Sequence, residues 1–209
     1  MSNPRILLIG PPGAGKGTQS KHIVETYGVE HITTGDALRA NKDMETEFGK
    51  PREFMEKGEL VPDPVVNEIV VAALEDADGF VLDGYPRNMS QAEYLDEQTD
   101  LDIVVLLDVG RDELVTRLTG RRVDPETGEN YHVEYDMPDD EAVRDRLEQR
   151  DDDTEDVVTD RLDVYSENTE PLVEFYEDRG LLTRIDGDQT PDEVWHDLRL
   201  AIEDAQADA

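Results

Sequence analysis

Residues Gly10 to Thr18 read Gly-Pro-Pro-Gly-Ala-Gly-Lys-Gly-Thr, a glycine-rich turn with one lysine and one hydroxyl at its exit. Glycines there permit backbone angles that side chains forbid, so consecutive N–H groups can approach phosphate oxygens at the positive end of a following helix. Lys16 adds a full charge for the outer phosphates, and the Thr18 hydroxyl is placed to approach a magnesium ion. Gly17 departs from the strict phosphate-loop pattern, which expects Ser or Thr at that position. The chemistry indicated is polyphosphate binding. Such a loop serves ATPases, GTPases, kinases and plain nucleotide-binding modules alike, so it does not choose among them.

The elements around the loop must hold it. Arg5 to Ile9 reads as a buried strand, Gly10 to Gly15 as the turn, and Lys16 to Tyr27 as a helix ended by Gly28. Short helical patterns cover Asp36 to Arg39 and Pro51 to Lys57, and a clearer one covers Val65 to Glu75. Strands are predicted at Phe80 to Asp83, Ile103 to Asp108 and Leu181 to Ile185. The run at Ile103 is apolar on successive residues, which suits a parallel strand covered on both faces. Further helices are predicted at Asp112 to Leu118 and from Thr154 to Arg179, the latter kinked or broken at Pro171. Thr190 as N-cap, Pro191 at the first helical position and Glu193 three residues past the cap start a final helix toward Gln206. Gly120 to Asp153 interrupts this rhythm with a turn at Asp124 to Gly128 and an alternating strand at Tyr131 to Tyr135, and reads as an inserted lobe. Alternating strands and helices predict an α/β fold: an open, mostly parallel sheet with helices on both faces.

The chain's 209 residues suffice for one complete core and one principal domain. Its 53 Asp and Glu against 20 Lys and Arg leave a formal net charge of -33. Charge of this size excludes a broad nucleic-acid footprint or attraction to anionic lipid, and it keeps a protein soluble where salt screens the self-repulsion. A cytoplasm of molar salt is therefore the expectation, with dialysis into dilute buffer weakening both fold and activity. No apolar run approaches the roughly 20 residues that cross a bilayer, and no leader-like segment is seen, which points to the cytosol. Without cysteine there is no disulfide and no thiolate metal site. His22, His31, His132 and His196 lack metal-ligand spacing and read as surface or packing residues. Trp195 reads as core, and the acidic runs Asp139 to Glu141 and Asp151 to Asp153 read as solvated faces.

An ordered set of segments resembles the successive signatures of adenylate kinases. They are Gly10 to Gln19, Thr33 to Arg39, Asp83-Gly84-Tyr85-Pro86-Arg87, Gly120 to Val123, Tyr131-His132-Val133, Gln149-Arg150-Asp151-Asp152 and Val158 to Leu162. They occur in that family's order and at similar spacing from Arg5 to about Ile202. The resemblance implies a P-loop NTPase-type α/β fold with its core at 1–32, 62–119 and 154–209, an AMP-binding lobe at 33–61 and a lid at 120–153. It also implies Mg-dependent transfer of a phosphoryl group between ATP and AMP, giving ADP, by a cytoplasmic monomer. Joining a triphosphate to a monophosphate brings two polyanions together, so such a site needs several cations and must exclude water. The attacking phosphate oxygen is already deprotonated at neutral pH, so no general base is required. Arginine suits the task because its planar fork binds phosphate oxygens in pairs.

Carried over position by position, the resemblance assigns Gly13, Ala14, Gly15, Lys16, Gly17 and Thr18 to the ATP phosphates. Arg117, Arg121, Asn130 and Tyr131 would close over the donor nucleotide, and the backbone at Gln189 would meet its base. Thr34, Arg39, Glu59, Leu60, Val61, Gly84, Tyr85, Pro86, Arg87 and Gln91 would bind AMP, with Arg150 and Arg161 reaching the transferring phosphoryl. Lys16, Arg87, Arg121, Arg150 and Arg161 would be the catalytic cations. Thr18 and, through water, Asp83 would hold magnesium. By residue type alone, Arg39, Arg117 and Arg161 would be ordinary ion pairs on helices. Some long lids of this family carry a four-cysteine zinc site; here the resemblance implies a lid without structural zinc, held by hydrogen bonds and packing, with Asp124 and Thr127 near its turn. Closure of both lobes would expel water and assemble the arginines. The rivals are a UMP/CMP kinase, against which Thr34, Gln91 and the long lid speak, and a GTP:AMP phosphotransferase. A non-catalytic nucleotide-binding module is a third, and it would have no need of Arg121, Arg150 and Arg161.

Overall fold

A computed structural model describes residues 3–56, 61–75 and 77–208. In chain order its first half comprises β1 (Arg5–Ile9), α1 (Lys16–Tyr27), β2 (Glu30–Thr33), α2 (Thr34–Ala40), α3 (Pro51–Met55), α4 (Asp63–Glu75), β3 (Phe80–Asp83) and α5 (Met89–Gln98). There follow β4 (Ile103–Asp108), α6 (Arg111–Gly120), β5 (Arg121–Val123), β6 (Asn130–His132), α7 (Glu141–Arg144), a 3₁₀ turn at Asp151–Asp153, α8 (Glu155–Asn168), α9 (Pro171–Glu177), β7 (Leu182–Asp186) and α10 (Pro191–Asp208). No helix among the described residues is long and apolar enough to cross a membrane.

Five strands form one sheet in the order β2-β3-β1-β4-β7, every pair parallel. Successive side chains of a strand face opposite sides, so continuous apolar strands build two cores at once. Ile6 and Leu8 join Ile23, Leu118, Leu162 and Leu198 on one face; Leu7 and Ile9 join Val70, Leu95, Leu172 and Tyr176 on the other. From β1 the chain turns toward β3 and β2, whereas β4 and β7 lie on the other side. The carboxyl end of β1 is therefore the point where strand order reverses, and in open parallel sheets the crevice there takes the ligand. Gly10 to Gly15 occupies that end. The antiparallel pair β5–β6 stands apart as a second, small sheet.

Several expectations are corrected. Glu30-His31-Ile32-Thr33 is a strand with no apolar run to betray it, because at the sheet edge only Ile32 is buried. Met89–Gln98 is a helix with no clear apolar periodicity to predict it; its polar composition buries only Gln91, Ala92 and Leu95. The strand expected at Tyr131 to Tyr135 stops at His132, where His132 and Asp136 exchange backbone hydrogen bonds of 2.9 and 3.1 Å and reverse the chain. The helical stretch from Thr154 breaks as expected beside Pro171, at Thr169 and Glu170. The final helix begins as expected: Thr190 Oγ1 accepts from the Glu193 N–H, and Glu193 accepts from the Thr190 N–H at 3.1 Å.

Candidate active site

Gly13 and Gly15 take left-handed backbone angles, φ +85° and +94°, which bend the chain from β1 into α1. A Cβ on Gly13 would lie 2.9 Å from Leu118 Cγ, so the loop rests directly on α6. Gly15 caps α1 without a side-chain hydrogen bond, which leaves the first N–H groups of the helix open to an anion. Lys16 Nζ donates to the Gly10 and Pro11 carbonyls at 2.8 and 3.1 Å. Burial holds this ammonium below the usual lysine range; Asp83 pulls the other way, and Arg87 and Arg161 add to the lowering. The charges of Asp83, Arg87 and Arg161 are thus all felt at the Lys16 ammonium.

Asp83 comes near the loop because β3 pairs with both β1 and β2, setting it level with Leu8 and Thr33. Its neighbour His31 stands 3.9 Å away. Gly84, in the left-handed region, Tyr85, a cis-linked Pro86 and Arg87 continue from it. The Gly84 carbonyl accepts from Thr34 Oγ1 and Arg87 Nε, both at 2.8 Å, so two residues expected to bind AMP converge there. Tyr85 is buried, its hydroxyl donates to Asn67 Oδ1 at 2.7 Å, and burial raises its pKa. Gln91 is 4% exposed and engaged at both ends of its amide, by the Arg87 N–H and by Asp63. Val61 packs against the core; Glu59 and Leu60 lie outside the described residues. Arg39 is exposed, pairs with Asp36 at 2.6 Å and lies over Gly35.

A second group gathers at the base of the 120–153 segment. Arg121 makes a two-pronged bond to Asp153, Nε and Nη2 donating at 2.8 and 2.5 Å. Arg161 pairs with Asp152 at 2.7 Å and stands 3.7 Å from Asp153. Arg150 donates to Asn130 Oδ1 at 3.0 Å, and Tyr131 to Glu129 at 2.8 Å. Arg117 pairs with Glu113 along α6, and the Gln189 side chain donates to Asp197 and to the Asp186 carbonyl. Among the described residues no hydrogen bond or ion pair joins Arg39, Arg117, Arg121, Arg150 or Arg161 to the phosphate loop; of these, Arg161 acts on the Lys16 ammonium through its charge.

Asp153 corrects the reading of its acidic run as solvated, since its side chain is 0% exposed and serves as the anchor for Arg121. Three aspartates in a row gave no signal that one faces inward. Asp124, 1% exposed, forms a two-pronged pair with Arg146 at 2.7 and 2.6 Å, and this guanidinium holds its carboxyl below the usual carboxylate range. Thr127 accepts from the Glu129 N–H close by. His132 packs inward on Gly120, its Nδ1 accepting from the Glu134 N–H and its ring stacked on Tyr135 at 4.1 Å.

The residues at the loop fit a hydrated divalent cation. Among the described residues the exposed Thr18 hydroxyl forms no hydrogen bond, and the Asp83 carboxylate has no partner but His31 at 3.9 Å. No group of three Asp, Glu or His among the described residues forms a cage for a metal ion.

A family model described as adenylate kinase matches residues 8–181. The adenylate kinase of Natronomonas pharaonis is 74% identical over 205 residues, covering 98% of this chain and 100% of that protein. Those of Haloarcula marismortui and Halobacterium salinarum are 59% and 56% identical, covering 97% and 99% of this chain and 98% and 100% of their own lengths.

Proposed function

The chain belongs to the adenylate kinase family, catalysing reversible transfer of a phosphoryl group between ATP and AMP to give ADP, and from that premise we propose how its residues divide the work. The observation that supports this division is that β1 and β3, paired side by side, run into the Lys16 loop and into Asp83 and Arg87, whose charges together with that of Arg161 act on the Lys16 ammonium. The backbone of Gly13 to Thr18 holds the donor phosphates, and Lys16 leaves its two loop carbonyls to follow the transferring charge. Arg87, fixed by Gly84, neutralises the acceptor phosphate. Thr34, Arg39, the 59–61 backbone, Gly84 to Pro86 and Gln91 complete the AMP site; Arg117, Asn130, Tyr131 and the backbone at Gln189 complete the ATP site.

Catalysis on this reading is in-line positioning and neutralisation of charge spread over the transferring group. Arg121 commits two of its five N–H donors to Asp153 and presents the remainder in a fixed orientation. Arg150 and Arg161 approach from the same base. When bound with ATP, magnesium supplies further neutralisation of the phosphates, held by Thr18 and, through water, by Asp83. Segments 33–61 and 120–153 close over the two nucleotides and exclude water, moving against the core at 1–32, 62–119 and 154–209. On the same reading the protein works in the cytoplasm as a monomer, and its net charge of -33 speaks against a nucleic-acid partner.

The test is a coupled assay in high salt with magnesium, presenting AMP, GMP, CMP and UMP in turn to ATP and to GTP, alongside Lys16→Ala and Arg87→Ala. ADP formed from ATP and AMP alone, and lost in either variant, is the expected result. Turnover of UMP or CMP instead would move the acceptor, and undiminished turnover in the variants would overturn the assigned roles.

A further inference from the structure

Asp63, at the start of α4, faces two amides that lie far from it in sequence. Its Oδ2 accepts from Asn88 Nδ2 at 2.8 Å and its Oδ1 from Gln91 Nε2 at 2.7 Å. Each amide is held at its other end as well. Asn88 Oδ1 caps α5 by accepting from the Gln91 N–H at 3.0 Å, and Gln91 Oε1 accepts from the Arg87 N–H at 2.8 Å. An ionised carboxylate only accepts, whereas a backbone N–H only donates. Reversing the Gln91 amide would therefore set oxygen against oxygen at Asp63 and N–H against N–H at Arg87. The order of donor and acceptor along Gln91 is locked.

One N–H and one oxygen lone pair of that amide remain uncommitted among the described contacts. In the locked order the oxygen can accept from an exocyclic amine while the N–H donates to the neighbouring ring nitrogen. A 6-aminopurine offers that pair. A 6-oxopurine offers a carbonyl and a ring N–H, the reverse order, and in the same pose it needs the amide turned over. We infer that Asp63 is a positioning residue that sets acceptor-base specificity, selecting 6-amino over 6-oxo purine monophosphates by fixing the orientation of Gln91. The inference rests on the reading above that Gln91 meets the acceptor base.

In Asp63→Asn one oxygen must serve two amides, and where it turns to Asn88 the introduced amino group faces Gln91 Nε2 and the lock on Gln91 is released. Steady-state kinetics with AMP and IMP as acceptors reads this directly. The preference for AMP in kcat/KM should fall by about tenfold, the order expected from losing one hydrogen bond, while the KM for MgATP stays unchanged. The double variant Asp63→Asn with Asn88→Asp restores a matched set. The amide introduced at position 63 donates to the carboxylate introduced at position 88, which leaves the amide oxygen free to accept from Gln91, and aspartate remains a good helix cap. This variant should recover the AMP preference, which general structural damage would not allow. Gln91→Ala separates the two readings. If it lowers the preference but Asp63→Asn does not, or if the double variant fails to rescue, the role of Asp63 is overturned while that of Gln91 stands. If Gln91→Ala leaves the preference intact, the reading of Gln91 fails and this inference with it.

Discussion

Three glycines in one loop should respond differently to the same added methyl group. Gly13 combines a left-handed φ of +85° with a Cβ position 2.9 Å from Leu118 Cγ, and Leu118 is 1% exposed. Alanine there meets a backbone penalty of about 1–2 kcal/mol and a further ~1–3 kcal/mol for displacing a packed core side chain. The total is about 2–5 kcal/mol, a large part of a stability that is typically about 5–15 kcal/mol. Gly15, at φ +94°, has nothing within 4 Å of its Cβ position, so only the backbone penalty of about 1–2 kcal/mol applies. Gly17 has neither a positive φ nor a neighbour, and it is the second residue of α1, where replacing glycine by alanine gains about 0.5–1 kcal/mol. Equilibrium urea denaturation of the nucleotide-free protein in molar salt ranks them. With a slope of about 2–3 kcal/mol per molar urea, Gly13→Ala should lose about 1–2 M of midpoint, Gly15→Ala less, and Gly17→Ala nothing. If Gly17→Ala proves the most damaging, or Gly13→Ala is silent, the account of how the loop rests on α6 is wrong.

Lys16→Met should cut turnover by at least about 10²-fold. Because burial lowers the Lys16 pKa, the unfolded chain holds the extra proton between the two pKa values. Nucleotide-free stability should therefore climb as pH rises from the folded pKa toward 10.5, and the variant should lack that slope in urea midpoints measured against pH. Arg121→Met should lose turnover and also stability, by up to about 3–5 kcal/mol, because Asp153 keeps only Arg161 at 3.7 Å; adding Asp153→Leu should recover stability without activity, as denaturation and the coupled assay would show. Asp124, held below its ordinary pKa by Arg146, contributes stability above the usual carboxylate range that is lost as pH falls toward its folded value. Asp124→Asn should speed hydrogen exchange across β5 and β6 at neutral pH while leaving β1 and β4 protected; equal loss everywhere would refute a local role.

Much of the fold was legible because its signals are local. The strand, glycine turn and helix at Arg5 to Tyr27 follow within one stretch of chain, and the Thr190 to Glu193 cap is complete in four residues. The buried strands announced themselves by apolar runs. β2 did not, since an edge strand needs few apolar side chains, and α5 did not, since it buries one narrow face. The site residues came from the order and spacing of signature segments, which name positions and leave their partners unstated.

The partners are what tertiary structure decided. Asp153 meets Arg121 from 32 residues away and Asp63 meets Gln91 from 28, and both acids look in sequence like members of a heavily acidic surface. Residue type and spacing determined by themselves that a phosphate loop opens a helix after a buried strand, because glycine conformation and helix capping act over a few residues. Which of the many carboxylates turn inward to orient an arginine or an amide depends on strand pairing and helix packing, because only the folded sheet brings those distant groups within hydrogen-bond reach and away from water.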